Sequence, residues 1–322
     1  MKAIRIQRHG GPEVLEVSDV PLPLPEAGEV RVRLAAAGVN YIDTYQRSGL
    51  YQIPLPTILG LEGAGTVDAI GEGVNDLQLG DRVAYCSGPK SYAEYVVIPA
   101  ERAVVLPAEV SFSIGAAVML QGLTAHYLAH STFPLAAGQR CLIHAAAGGV
   151  GLLLIQLAKA AGAYVIGTVS TKEKAALAEA AGADKIILYR EKDFVAAVAE
   201  ITEGAGLDVV YDSVGKDTFL GSLRCLRPRG MVVSFGQSSG PIGSFDPLLL
   251  SQHGSLFMTR PRLEHYIATR EELRARATDI FSALAANTLQ VHIGAEYGLT
   301  QAAEAHRALE ARATMGKVLL VP

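Results

Sequence analysis

The residues Ala146-Ala147-Gly148-Gly149-Val150-Gly151 stand where a dinucleotide could be held by its phosphates. They follow an apolar stretch, 140–145, that reads as a strand, and they open an apolar stretch, 149–162, that reads as a helix. That placement is what the chemistry needs. Glycines let the backbone approach a pyrophosphate, and the first turn of a helix offers amide donors and a positive dipole end. Ala146 occupies the place of the first glycine of the usual G-x-G-x-x-G pattern. The next strand, Tyr164-Val165-Ile166-Gly167-Thr168-Val169, ends on Val169, where NAD-dependent enzymes carry an acidic residue for the adenosine ribose. With no carboxylate there to repel a 2′-phosphate, with the hydroxyls of Ser170 and Thr171, and with Lys174 one helical turn later, the expected cofactor is NADPH.

Other reactive side chains point away from metal and disulfide chemistry. Cys86, Cys141 and Cys225 form neither a framework nor a C-x-x-C pair, and Cys141 reads as a small hydrophobe inside a strand. His126 and His130 have helical i, i+4 spacing, yet the intervening Tyr127-Leu128-Ala129 lacks the glutamate of a zinc protease and no third ligand is evident. His144, at a strand end, reads as structural.

The elements that position these groups fall into two patterns. Up to about residue 112 the chain reads as short strands between Gly and Pro breaks: Met1–Ile6, Glu29–Ala37, Val67–Ile70, Arg82–Tyr85 and Tyr92–Ile98. Pro21, Pro23 and Pro25 make an extended connector. A helix is expected over Ser113–His130, followed by strands at 140–145, 163–168, 185–188, 207–212 and 230–235 and helices at 149–162, 172–181, 192–202 and 216–226. These strands are continuously apolar, as buried parallel strands are, so the fold class is α/β with a doubly wound sheet. A helical stretch over 270–287, a helix near 300–311 and a strand Gly316–Leu320 complete the chain. The expected domains are 1–123, 124–262 and a returning segment 263–322. The 322 residues carry a net charge of −4 and are half apolar, which argues against a partner tracked by its phosphates, such as a nucleic acid. Apolar runs such as 150–158 are too short for a membrane span. The N-terminus reads as a strand rather than a signal segment, and the expected location is cytoplasmic.

Gly138-Gln139, Leu142, Ala146-Ala147-Gly148-Gly149, Gly151, Gln156 and Lys159 resemble the spaced signature of the quinone oxidoreductase and zeta-crystallin family. The resemblance runs the length of the chain, through Ala37-Gly38-Val39-Asn40, Gly60-Leu61-Glu62-Gly63-Ala64-Gly65, Gly80-Asp81-Arg82-Val83, Tyr211-Asp212-Ser213-Val214-Gly215 and Ser234-Phe235-Gly236. It is strongest to the bacterial NADPH:quinone reductases. It implies a GroES-like β-rich catalytic domain, a Rossmann domain, a cleft between them and a homodimer. It also implies that Asn40 lies near the nicotinamide ribose and the acceptor, that Thr124 lies near the cofactor, and that Ser213, Phe235 and Gly236 line the nicotinamide end. Tyr189 and Arg312 are implied beside Lys174 in the 2′-phosphate pocket. The places at which related alcohol dehydrogenases hold zinc with Cys, His and Cys fall on Asn40, Leu61 and Gln121, so no metal is expected.

Without a Lewis acid an alcohol–ketone reaction is hard, whereas quinones and other activated carbonyl acceptors need less help. The expected function is therefore hydride transfer from NADPH to a quinone-like acceptor, with Tyr45 and Tyr51 as flat walls of the acceptor pocket and Asn40 beside them. Asp43 and Glu62 are the nearest acids that could relay a proton. An alkenal or enoyl-thioester reductase shares the same features. A structural or RNA-binding protein stabilised by NADPH is the reading from another class. The short apolar segment Gly254-Ser255-Leu256-Phe257-Met258 is expected to be a sheet edge that pairs with its own copy.

Overall fold

Strand propensity and a buried-face alternation build the first unit from the N-terminus onward. The computed structural model describes residues 1–88 and 90–322. The order of elements is β1 (Lys2–Ile6), β2 (Glu16–Asp19), β3 (Glu29–Val39), α1 (Tyr41–Ser48), β4 (Thr57–Ile58), β5 (Glu62–Ile70), β6 (Arg82–Cys86), β7 (Tyr95–Pro99), β8 (Val104–Val105) and α2 (Phe112–Tyr127). Next come β9 (Arg140–Ile143), α3 (Gly149–Ala160), β10 (Tyr164–Val169), α4 (Lys172–Ala180), β11 (Lys185–Leu188), α5 (Phe194–Ile201), β12 (Leu207–Asp212), α6 (Phe219–Arg224), β13 (Leu226–Ser234), α7 (Leu248–Gln252) and β14 (Phe257–Thr259). The chain ends with α8 (Arg270–Ala285), β15 (Ile293–Gly298), α9 (Ala302–Glu310) and β16 (Lys317–Val321).

Two compact units result, one of residues 1–123 and 267–322 and one of residues 124–266. In the first, β2-β1-β4 form a small antiparallel sheet, and a seven-stranded sheet runs β15-β16-β3-β5-β6-β8 with β7 also on β3. The long strand β3 is its spine. Val30, Val32 and Leu34 are buried with Val67, Val83, Val96 and Ile98, while Arg33, between them, is exposed. β16 returns antiparallel to β3, with Val318 opposite Val39, so the C-terminal segment rejoins the first sheet. A second core packs Ile4, Ile6, Val39, Leu59 and Tyr92 against Leu299, Ala305 and Leu309 around α9.

The second unit is a six-stranded sheet in the order β11-β10-β9-β12-β13-β14, parallel throughout. Renumbered from β9 this is 3-2-1-4-5-6, the dinucleotide-binding order, whose ligands sit beyond the carboxyl ends of the strands. Its core packs Leu142, Ile166, Val210 and Val232 with Val198, Phe219 and Leu223 from the helices. The expected alternation holds, with most ends shifted by a residue or two, α6 beginning three residues after the expected 216 and β13 four residues before the expected 230. The helix expected over Ser113–His130 begins at Phe112 and changes to a π-turn at Leu128–Thr132. The stretch Phe112–Thr132 has the length and apolarity of a membrane span, and 72% of its most apolar window is buried inside the protein, which marks a core helix.

Candidate active site

The carboxyl ends of five neighbouring strands bring most of the expected cofactor residues to one edge of the parallel sheet. After β9 the chain turns through Ala145, with φ +52°, and Gly148 N–H donates to Ala145 O at 2.9 Å. α3 then starts at Gly149, with Gly148 as an N-cap that carries no side chain. Ala147, Gly148, Gly149 and Val150 therefore present main chain at a helix start where no side chain competes for the amides. Gly151 is needed for packing, because a Cβ there would lie 2.6 Å from Ala145 O and 2.7 Å from Ala146 O. Ala146 replaces the usual first glycine because its neighbour strand makes room. A Cβ on Gly167 would come within 2.8 Å of the Ala146 methyl, and Gly167 has none.

The floor of this loop is a buried polar chain that the sequence did not reveal. Asp212, fully buried, accepts the N–H groups of Val214 and Gly215 at 2.8 and 3.0 Å and the Thr218 hydroxyl at 2.8 Å. His144 joins Thr168 Oγ1 through Nδ1 at 2.9 Å and Ser222 Oγ through Nε2 at 3.1 Å. Burial lowers its pKa, with Asp212 opposing, so His144 is neutral and structural, as its strand-end position suggests. Cys141 is equally inert, since burial pushes its thiol up to about 12.

Val169 ends β10 at 2% exposure and no acid follows it before α4. Thr171 caps that helix by accepting Lys174 N–H at 3.3 Å, which leaves Ser170 and Lys174 on the turn beyond the strand. Tyr189, 38% exposed after β11, donates its N–H to Val169 O, so it stands next to that turn. Ser213 follows β12, and Phe235 and Gly236 follow β13. Gly236 lies against Ser213, where a Cβ would meet Ser213 O at 2.6 Å. Arg260, which the sequence did not single out, closes the end of β13 by donating to Ser234 O at 2.9 Å and Gly236 O at 2.8 Å. Thr124 is 7% exposed on α2. Arg312 belongs to the first unit, beyond α9, with φ +56°.

In the first unit, α1 and its two ends carry the residues expected beside the acceptor. Gly49, with φ +82°, ends α1 and turns the chain back, so that Tyr51 N–H donates to Tyr45 O at 3.0 Å and the two rings meet edge-on with centroids 5.3 Å apart. Asn40 caps the other end of α1 and is 4% exposed. Its Oδ1 accepts from Gln121 Nε2 at 3.0 Å and Lys317 Nζ at 2.9 Å, and its Nδ2 donates to Glu62 Oε1 at 2.7 Å. Glu62 Oε1 also pairs with Lys317 Nζ, and Glu62 Oε2 accepts Leu120 N–H at 2.7 Å. Gly38 makes space for the Glu62 carboxylate, which a Cβ there would strike. Lys317 and Glu62 are 1% and 0% exposed. Breaking such a pair by removing one partner typically costs about 3–5 kcal/mol.

A second buried network adjoins it. Asp43 Oδ2 accepts Asn40 N–H at 2.8 Å and the Tyr92 hydroxyl at 2.9 Å, and Oδ1 is buried with no partner. Arg47 can only donate, so His306 Nδ1, 3.0 Å from its guanidinium, accepts and the ring proton sits on Nε2, facing the Tyr92 oxygen at 3.0 Å. Burial raises the Asp43 carboxyl to about 7 and lowers His306 to about 3. Of the two acids expected to relay protons, Glu62 is tied up by Lys317 and Leu120, and Asp43 faces Tyr92. Neither is exposed. Among the described residues no three His, Cys, Asp or Glu side chains converge as a metal site. Asn40 Oδ1 is taken by Gln121 Nε2 and the Lys317 ammonium, and Asn40 Nδ2 by Glu62. His126 and His130 are ring neighbours, 4.6 Å apart, on α2 and its π-turn.

Comparison with known proteins agrees with both units. Residues 26–108 match the alcohol dehydrogenase GroES-like domain and residues 149–283 the zinc-binding dehydrogenase family, which define the class. The chain is 48% identical to the quinone oxidoreductase of Pseudomonas aeruginosa over 323 aligned positions, covering 100% of this chain and 99% of that one. The structure of Escherichia coli quinone oxidoreductase complexed with NADPH superposes with a TM-score of 0.98 at 46% identity, covering both chains fully. A 2-haloacrylate reductase of Burkholderia is 41% identical over 98% of both chains. The protein belongs to the quinone oxidoreductase family.

Proposed function

We propose that the protein reduces quinones with NADPH, without a metal. One observation carries this reading: of the three places that align with the zinc ligands of related alcohol dehydrogenases, Leu61 has no donor atom, and Asn40 and Gln121 are carboxamides bonded to each other, with Asn40 Oδ1 also taken by the buried ammonium of Lys317. An ammonium at the centre of a donor set repels a cation, and Asn40 Oδ1 already accepts two hydrogen bonds. Bound NADPH supplies the hydride. The chain's own residues do the rest. Ala147, Gly149 and Val150 hold the pyrophosphate by their amides, Gly148, whose N–H goes to Ala145 O, lets the main chain come close, and Ser170, Lys174, Tyr189 and Arg312 hold the 2′-phosphate. Thr124, Ser213, Phe235 and Gly236 orient the nicotinamide, while Asn40, Tyr45 and Tyr51 orient the acceptor. A flat, conjugated acceptor suits the edge-on tyrosine pair, and aromatisation of its product stands in for an electrophilic catalyst.

The Burkholderia relative supports a second reading, in which the acceptor is an activated carbon–carbon double bond. NADPH oxidation with 1,4-benzoquinone, an enone, a crotonyl thioester and 2-chloroacrylate separates the two. We expect benzoquinone to turn over with the highest kcat/KM. Turnover confined to the thioester or the haloacrylate overturns the quinone assignment.

We also assign the protein to the cytoplasm, a reading favoured by three buried cysteines that remain thiols. A homodimer formed through β14, with no membrane or nucleic-acid partner, completes the reading.

A further inference from the structure

The buried ammonium of Lys317 makes contacts that the reaction as described does not require. Lys317 opens β16, is 1% exposed, and reaches Asn40 and Glu62 across 277 and 255 residues of sequence. An Asn carboxamide can occupy its site in two orientations that differ only by exchange of O and N, and packing alone barely distinguishes them. Here the two sides of Asn40 face opposite demands. On one side stand Lys317 Nζ and Gln121 Nε2, which are both donors. On the other stands Glu62 Oε1, an acceptor only. Gln121 could rotate its own amide to suit a flipped Asn40, because its Oε1 has no partner. Lys317 cannot, since an ammonium has nothing but donors to offer. Glu62, held by Leu120 N–H, cannot follow either.

We propose that Lys317, with Glu62, is a positioning residue for the reaction: the pair locks the Asn40 carboxamide in one orientation, Oδ1 towards Lys317 and Nδ2 towards Glu62. A fixed internal cation thereby does for a carboxamide what ligand geometry does in a metal site, orienting the group without touching the substrate. The inference rests on the reading that Asn40 orients the acceptor. Its mode of failure differs from that of the reading, because the first concerns Lys317 and the second Asn40.

The test is a double-mutant cycle on the full chain with NADPH and 1,4-benzoquinone. Lys317→Met combined with Glu62→Gln removes both charges at nearly constant volume and strands neither ion, so the folded state is retained better than with either change alone. This pair is expected to lower kcat about tenfold or more, as small misplacements of an orienting group do. Asn40→Ala is expected to lower it comparably. In the Asn40→Ala background the charge-removing pair should then cost nothing further, because there is no carboxamide left to orient. A purely structural role for Lys317 would instead give losses that add, and additive losses overturn the proposal, as does a charge-removed variant with wild-type kcat. Wild-type kcat for Asn40→Ala alone overturns the placement of Asn40, and the inference with it. Should the Met variant lack a cooperative melt, Lys317→Gln with Glu62→Gln, which puts at both places an uncharged carboxamide able to donate or accept and so unable to enforce one orientation, enters the same cycle with the same expected outcomes.

Discussion

Asp43 and His306 are displaced in opposite directions by one cause, burial, and the consequence is a cancellation that a single-site titration would miss. Asp43 titrates near 7 in the folded protein against an ordinary 3.8, so over that range the folded state holds a proton the unfolded state has lost. Raising the pH then drains stability. His306 titrates near 3 against an ordinary 6.5, so over that range the unfolded state holds a proton the folded state lacks, and raising the pH adds stability. Between about pH 4 and 6.5 the two contributions oppose one another proton for proton. The Tyr92 hydroxyl that joins them keeps both neutral forms hydrogen-bonded. Removing either residue should expose the other. Relative to the wild type, Asp43→Asn should gain stability as pH rises from 4 to 6.5, by up to about 1.4 kcal/mol per pH unit. His306→Gln should lose stability over the same interval. Urea denaturation at half-unit pH steps reads both, and curves parallel to the wild type would show that these groups do not titrate as their burial requires.

At the scale of elements, we assign the cofactor preference to the turn between β10 and α4. Val169 withholds the carboxylate, and the Thr171 cap fixes the first turn of α4, from which Lys174 projects. A charge-assisted hydrogen bond to a 2′-phosphate is worth roughly 1.5–3 kcal/mol. Lys174→Ala should therefore weaken NADPH binding by about tenfold to a hundredfold and leave NADH nearly unchanged, measured by nucleotide fluorescence. Equal losses for both nucleotides would place the phosphate elsewhere. This turn was legible in the sequence because it depends on neighbours in the chain, as were the parallel strands, whose runs are apolar throughout. Elements with half-buried or polar faces were not. β15 alternates between half-buried Ile293, Ala295, Tyr297 and exposed partners, and glycines at 294 and 298 blur even that rhythm. α1 hides better still, since the residues it buries are Asp43, Thr44 and Arg47, the reverse of what an amphipathic pattern seeks. The site divides in the same way. The glycine loop announced itself, whereas Lys317 read as an ordinary residue of the expected strand Gly316–Leu320, because a partner 255 residues away leaves no local trace.

For the whole molecule, the parallel sheet has two edges, and their chemistry differs. At one edge β11 begins with Lys185, exposed, on a strand of four residues, and a lysine on a short edge strand discourages further pairing. At the other edge β14 is shorter than the segment expected from the sequence, three residues from Phe257 to Thr259, and Phe257 is 56% exposed. Met258 packs inward against the sheet core, so β14 is anchored on its inner face and open along its outer one. A second copy placed across a two-fold axis would add β14 to β14 antiparallel, continue the six-stranded sheet into its partner, and cover both Phe257 rings in one self-complementary contact. The asymmetry of the edges would make such pairing specific, because Lys185 discourages extension at β11. Light scattering at micromolar concentration is expected to give twice the 33.9 kDa chain mass. Phe257→Lys, which sets like charges close together across the axis, should shift the protein to monomer while leaving the fold cooperative. A wild-type monomer, or a Phe257→Lys protein that remains fully dimeric, would move the contact away from β14.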